Sequence, residues 1–133
     1  MTTVDKGAIE RFMQGQVACW NRHDKEAFMA LYHEMASESL DIEYVGRPAQ
    51  DGWFVIEEMW DKHNGQFELG VVSTIINGNE AAIHHHNKIV GTGVVIESIE
   101  TYRFEPGKLS VRYFLKTPEA SSIDLAQFRG FAA

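Results

Sequence analysis

Beyond Asn64-Gly65 the hydrophobic pattern of this chain is strand-like throughout, whereas ahead of it helical stripes dominate, and that division restricts the folds open to it. Ahead of it, Ile9, Phe12, Met13, Gln16, Val17 and Trp20 recur at helical spacing and predict an amphipathic helix from about residue 4 to 21, its apolar stripe interrupted by Gln16. Asp24 can cap a second helix with the stripe Phe28, Leu31, Tyr32 and Met35. A short alternating segment, 40–45, reads as a strand with Leu40, Ile42 and Tyr44 on its apolar side, ended by Gly46-Arg47-Pro48. Asp51 and Gly52 open a third helix bearing Trp53, Ile56, Met59, Trp60 and His63. Beyond the break everything is strand-like: 67–76, 81–90, 94–104 and 109–115, with a strong hairpin signal at Asn77-Gly78. This order predicts an α+β fold, a cone of three N-terminal helices packed on a curved, mainly antiparallel β-sheet. Such concave spaces tend to hold small ligands. The tail after Pro118 is small and polar apart from Leu125, Phe128 and Phe131, and is expected to dock only loosely.

A chain of 133 residues fits one domain, here taken as 1–133. Its net charge of −7, with no lysine- or arginine-rich cluster, repels a polyanion and argues against nucleic acid as a partner. No apolar run approaches a membrane span, and the first residues lack the apolar core of a signal peptide. The single cysteine, Cys19, excludes an internal disulfide, and no cationic residue is expected beside it on the helix face. A cytoplasmic location is the default expectation.

The strand at 94–104 carries an anomaly. Val94, Ile96, Ser98, Glu100, Tyr102 and Phe104 share one face, so a glutamate sits in the middle of the more apolar and aromatic side. Burying a carboxylate without a partner costs several kcal/mol. Glu100 is therefore either a candidate acid, base or strong hydrogen-bonding group, or an ordinary residue that leans to water or pairs with a cation.

Several strings give the chain a resemblance. Cys19-Trp20-Asn21-Arg22-His23-Asp24 lies between the first helices, Asp51-Gly52 is followed by Ile56 and Trp60, and Ile99-Glu100-Thr101-Tyr102-Arg103-Phe104 precedes Gly107-Lys108. In this order they resemble the nuclear transport factor 2-like superfamily, within it the branch of ketosteroid isomerases and SnoaL-type polyketide cyclases. Ketosteroid isomerases use an aspartate base, with a tyrosine and a protonated aspartate holding the oxyanion. The resemblance places that protonated acid at Glu100 and the tyrosine at Gln16, whose amide can still donate a hydrogen bond. The base falls near Glu43 or Tyr44: anchoring on Val45-Gly46 selects Glu43, the alternation of Leu40 and Ile42 selects Tyr44. Tyr44 is favoured as the inward residue, because a one-residue slip exposes Leu40 and Ile42. The family's base is then missing.

The segment Ile83-His84-His85-His86-Asn87-Lys88-Ile89 offers a replacement. His85 and Asn87 share a face with Ile83 and Ile89, and the resemblance turns that face into the cone beside Glu100. Histidine titrates near neutrality and suits acid–base work; it can equally satisfy a hydrogen bond in the core. His84 and His86, two apart on the opposite face, could chelate zinc, but no recognisable spacing completes a ligand set, and no metal is assigned. Trp20, Trp60 and Tyr32 could wall a flat apolar ligand, though aromatic stripes on helices ordinarily pack.

The expected function is a cofactor-independent acid–base enzyme, of isomerase, cyclase or dehydratase type, acting on a small, largely apolar carbonyl compound. Glu100, His85 and Tyr44 are its candidate catalytic residues; Gln16, Trp20, Trp60, Asn87 and Tyr102 are the candidate ligand contacts. The alternative is a non-catalytic small-molecule-binding or dimerisation module of the same fold. Val95, Ile99 and Phe114 fall on the outward face and predict a homodimer through it.

Overall fold

A computed structural model describes residues 4–116; the tail, with Leu125, Phe128 and Phe131, lies outside the described residues. Two helices, α1 (Lys6–Asn21) and α2 (Lys25–Met35), are followed by β1 (Ser39–Tyr44), β2 (Gln50–Asp51) and α3 (Gly52–His63). Four strands complete the fold: β3 (Phe67–Asn77), β4 (Glu80–Ile89), β5 (Val95–Glu105) and β6 (Lys108–Leu115). One six-stranded sheet runs in the order β2-β1-β6-β5-β4-β3. The last four strands form consecutive antiparallel pairs, whereas β1 joins β6 in parallel. The chain reaches that parallel position because α3 and four strands intervene between β1 and β6.

Asp5 and Asp24 cap the first two helices, accepting from the backbone N–H of Ala8 and Ala27. Asp51 makes no such bond at α3. It belongs instead to β2, a two-residue strand that pairs with Asp41 and Ile42 of β1 and is too short to leave a periodic signal. Gly52 follows directly and packs against β1 so closely that a Cβ there would meet the Leu40 side chain and lie 2.6 Å from the Leu40 carbonyl oxygen. Only glycine lets the helix start at that distance.

The Trp20–Asp24 segment stitches the helices to the sheet edge. The Trp20 indole donates to the Phe67 carbonyl (3.0 Å), and the Asn21 amide both donates to the Leu69 carbonyl and accepts from the Leu69 N–H, each at 2.9 Å. His23 takes a left-handed conformation (φ 60°) and meets Asn64 Oδ1 at 2.6 Å, while Asn64 Nδ2 donates to the Trp20 carbonyl. Near the same turn, Arg22 donates to the Cys19 sulfur at 3.5 Å, so the thiol does have a cationic neighbour. The residue three positions on, at the helix end, folds back over it.

The strand faces follow the alternation of the sequence. Ile83, His85, Asn87, Ile96, Tyr102 and Phe104 are buried, and the ring of Phe12 on α1 stands edge-on to those of Tyr32, Tyr102 and Phe104. Leu40, Ile42 and Tyr44 are also buried, while Glu43 turns outward to Arg112 at 3.1 Å. His84, His86, Thr101 and Arg103 lie on the outer face, together with the exposed Val95, Ile99 and Phe114.

Gly52→Ala should destabilise the fold by about 1–3 kcal/mol, the usual cost of forcing extra atoms into a packed contact. The urea midpoint should fall with an unchanged slope, and an unchanged midpoint would show that α3 can back away from β1 freely.

Candidate active site

β5 delivers Glu100 to the middle of the inner face, where it is paired directly with Ile83 of β4 on one side and Tyr113 of β6 on the other. His85 is opposite Ser98, one step diagonal to Glu100 and within reach of its carboxylate. His85 Nδ1 lies 3.0 Å from Glu100 Oε2, and the Ser98 hydroxyl donates to the same oxygen at 3.5 Å. The other oxygen, Oε1, accepts from the Tyr102 hydroxyl at 2.6 Å. Tyr102 and Ser98 thus offer Glu100 protons, and His85 does so in the tautomer that carries its proton on Nδ1.

With Nδ1 committed to Glu100, His85 Nε2 is buried without a hydrogen-bond partner among the described residues. Asn87 lines the same space but gives both of its amide hydrogens to the sheet, to the Ile96 carbonyl (2.8 Å) and the Ser98 hydroxyl (2.9 Å). It steadies Ser98 and, through it, Glu100, and has no N–H left for a ligand. Gln16 Oε1 accepts from the Tyr32 hydroxyl at 2.6 Å, and its amide nitrogen makes only a long contact to the Met13 sulfur. Its oxygen, which also lies 3.3 Å from the Tyr102 hydroxyl, thus fixes tyrosines, while its amide N–H groups are left for the cavity.

These groups surround a cavity of about 40 Å³, room for about three water molecules. Its polar end holds Glu100, His85, Asn87, Gln16, Tyr32, Tyr102 and Tyr113; its apolar end holds Trp20, Phe28, Met59, Phe67, Leu69 and Leu115. Only Glu100, Leu69 and Leu115 of these are not fully buried. Trp60 is not a lining residue: it stands behind Trp20 and Phe28, with ring centroids 5.2 and 4.9 Å away. Tyr44 is likewise one layer back, its ring 5.1 Å from that of Tyr113 and its hydroxyl 3.8 Å from the Met59 sulfur. Sequence reading missed the apolar lining from Phe28, Met59, Phe67, Leu69 and Leu115, and it missed the polar Tyr113, although that residue stands two and four residues beyond the inward Val111 and Leu109. His85 and Glu100 are the only lining residues of metal-ligating type, and each already holds the other.

A family model described as a SnoaL-like domain matches residues 9–112. The chain belongs to this SnoaL-like family. None of the curated proteins matches it. Among solved structures, it is similar to a protein of unknown function with a cystatin-like fold from Methylobium petroleophilum PM1, at 20% identity and a TM-score of 0.69, over 98% of this chain and 94% of that one. It is also similar to a candidate ketosteroid isomerase from Kribbella flavida DSM 17836 (13% identity, TM-score 0.68, 90% and 85% covered). A candidate SnoaL-like polyketide cyclase from Jannaschia sp. CCS1 gives 13% identity and a TM-score of 0.66, with 87% and 90% covered. At such identities the likeness concerns the fold. No helix among the described residues is long and apolar enough to cross a bilayer.

All four tyrosines of this SnoaL-like chain are held protonated. Burial, followed by the nearby negative charge of Glu100, pushes the phenols of Tyr32, Tyr102 and Tyr44 well above the ordinary value of 10.0. For Tyr113 burial again comes first, followed by Tyr32, with which it shares a side-chain hydrogen bond, and Glu100. They are therefore hydrogen-bond donors throughout the physiological range. Because the unfolded chain loses these protons at lower pH than the folded one, their contribution to stability is complete below about pH 10 and disappears as pH rises above it. Absorbance at 295 nm should show phenolate appearing only together with alkaline unfolding. A tyrosine that ionises near pH 10 in the folded protein would contradict this.

Proposed function

We propose that this chain is a cofactor-independent acid–base enzyme, of isomerase, cyclase or dehydratase type, whose substrate is a small, largely apolar carbonyl compound held in the cone. The observation that carries the reading is the Glu100–His85 pair: a carboxylate on Nδ1 and an unpartnered Nε2 inside a cavity. A carboxylate that takes Nδ1–H leaves the lone pair of the imidazole on Nε2 and stabilises the imidazolium once it forms. In the proposed step Nε2 removes a proton from the carbon next to the substrate carbonyl. The electron pair moves to the carbonyl oxygen, where the Tyr113 hydroxyl donates a hydrogen bond to the developing charge, the protons of Tyr32 and Tyr102 being given to Gln16 and Glu100. The proton on Nε2 then returns to a different carbon, giving an isomer, or to a leaving hydroxyl, giving a dehydrated product. Tyr102 holds Glu100, and Tyr44 supports Tyr113 from behind. The apolar end, from Trp20 to Leu115, takes the hydrocarbon part of the substrate, and the small volume favours a compact molecule over a polycyclic one.

The exposed Val95, Ile99 and Phe114 lead us to propose further that the active form is a homodimer joined through the outer sheet face. Sedimentation at micromolar concentration should give twice the mass of 15.1 kDa, and a monomer would count against it.

The chemistry is tested by α-proton exchange of small cyclic ketones in deuterated solvent, followed by NMR. His85→Ala and Glu100→Gln should each slow exchange by at least about a hundredfold, the scale of one acid–base group. His84→Ala, on the opposite face, should leave the rate unchanged. Ketones that raise the melting temperature without exchanging in the wild-type protein would favour the alternative, a non-catalytic binding module.

A further inference from the structure

The alternation that sends His85 into the cone sends His84 and His86 to the outer face of β4, where β5 places Glu97 beside them. His86 and Glu97 are directly paired across the two strands, and His84 is the diagonal neighbour. His84 Nε2 lies 3.1 Å and His86 Nε2 3.5 Å from the same oxygen, Glu97 Oε1. The three ligand atoms all fall within 4.8 Å of one another, and all three residues are half-buried. The imidazole planes stand at 87° with centroids 5.5 Å apart, so both rings turn a nitrogen to one point instead of stacking.

We infer that His84, His86 and Glu97 form a divalent transition-metal site, zinc being the ion that best fits two imidazoles and one carboxylate. Ligands about 2.1 Å from a tetrahedral ion stand roughly 3.4 Å apart. Two of the three separations already have that value, and small ring rotations bring in the third. Glu97 turns its second oxygen, Oε2, to Lys116. Lys116, 3.4 Å from Oε2, is the resident cation, and its largely exposed side chain can swing aside. His84 and Glu97 also line a surface concavity of about 390 Å³, together with Ile99, Phe114 and Lys116, which leaves space beside the site for water or a small anionic ligand. A three-ligand site with an open position is the arrangement of reactive, not purely structural, zinc.

Calorimetric titration of chelator-treated full-length protein with zinc sulfate at neutral pH tests this. One ion per chain should bind with micromolar or tighter affinity. Removing even a group that only hydrogen-bonds a zinc ligand costs about tenfold, so His84→Ala, His86→Ala and Glu97→Gln should each weaken binding by at least that factor. Circular dichroism should stay unchanged, since all three side chains lie outside the core. His33→Ala, which removes a histidine stacked on Trp53 elsewhere, should bind as wild type does. The inference is overturned if the wild-type protein takes up no zinc, or if the double variant His84→Ala/His86→Ala binds it equally well.

Discussion

A carboxylate lodged among apolar side chains must be met by donors or it destabilises everything packed around it, and Glu100 is met on both oxygens. Tyr102 reaches one, His85 and Ser98 the other. Removing one partner of a buried charge typically costs about 3–5 kcal/mol, because the remaining charge is left uncompensated. The supports of Glu100 are themselves held: Ser98 by Asn87, and Tyr102 by its packing against Phe12 and Phe104. The interior is therefore organised from the carboxylate outward. Its negative charge keeps the surrounding phenols protonated, and its bond to Nδ1 leaves Nε2 of His85 open toward chemistry.

That arrangement depends on the wide space between helices and sheet staying open. Trp20 and Asn21 bind α1 to the first residues of β3, and Asn64 ties the end of α3 to the same turn. At the other side, Gly52 lets α3 press onto β1, which in turn lies in parallel beside β6 and backs Tyr113 with Tyr44. The strings through which the chain resembles its family are thus largely fold-holding residues. Glu100 is the exception, a family position that belongs to the site.

How much could be read in the sequence varied with the range of the interaction. Strand alternation separated Glu100, Tyr102 and Tyr44 from Val95 and Ile99, and His85 from His84 and His86, while the resemblance decided which face of the histidine strand turns inward. Helix stripes gave α1, α2 and α3 to within a few residues. What escaped was set by partners distant in the chain. Asn87 and Gln16 reach the cavity, but the N–H groups of Asn87 are engaged by Ser98 and Ile96 and the oxygen of Gln16 by Tyr32, and no local pattern records that. Trp60 and Tyr44 belong to the right faces but stand one layer behind the lining, a difference of depth to which periodicity is blind. Glu97 is a neighbour of His84 and His86 only across the β4–β5 pairing, so a search for ligand spacing along the chain could not find it.

The account turns on which nitrogen of His85 carries the proton. Nitrogen-15 NMR of the imidazole, assigned by comparison with His85→Ala, reads this directly at neutral pH. The predicted result is a protonated Nδ1, hydrogen-bonded to the Glu100 carboxylate, and an unprotonated Nε2 with the shift of a free lone pair. The opposite tautomer, with the proton on Nε2 and Nδ1 accepting from a protonated Glu100, would contradict it and leave the cavity without its base.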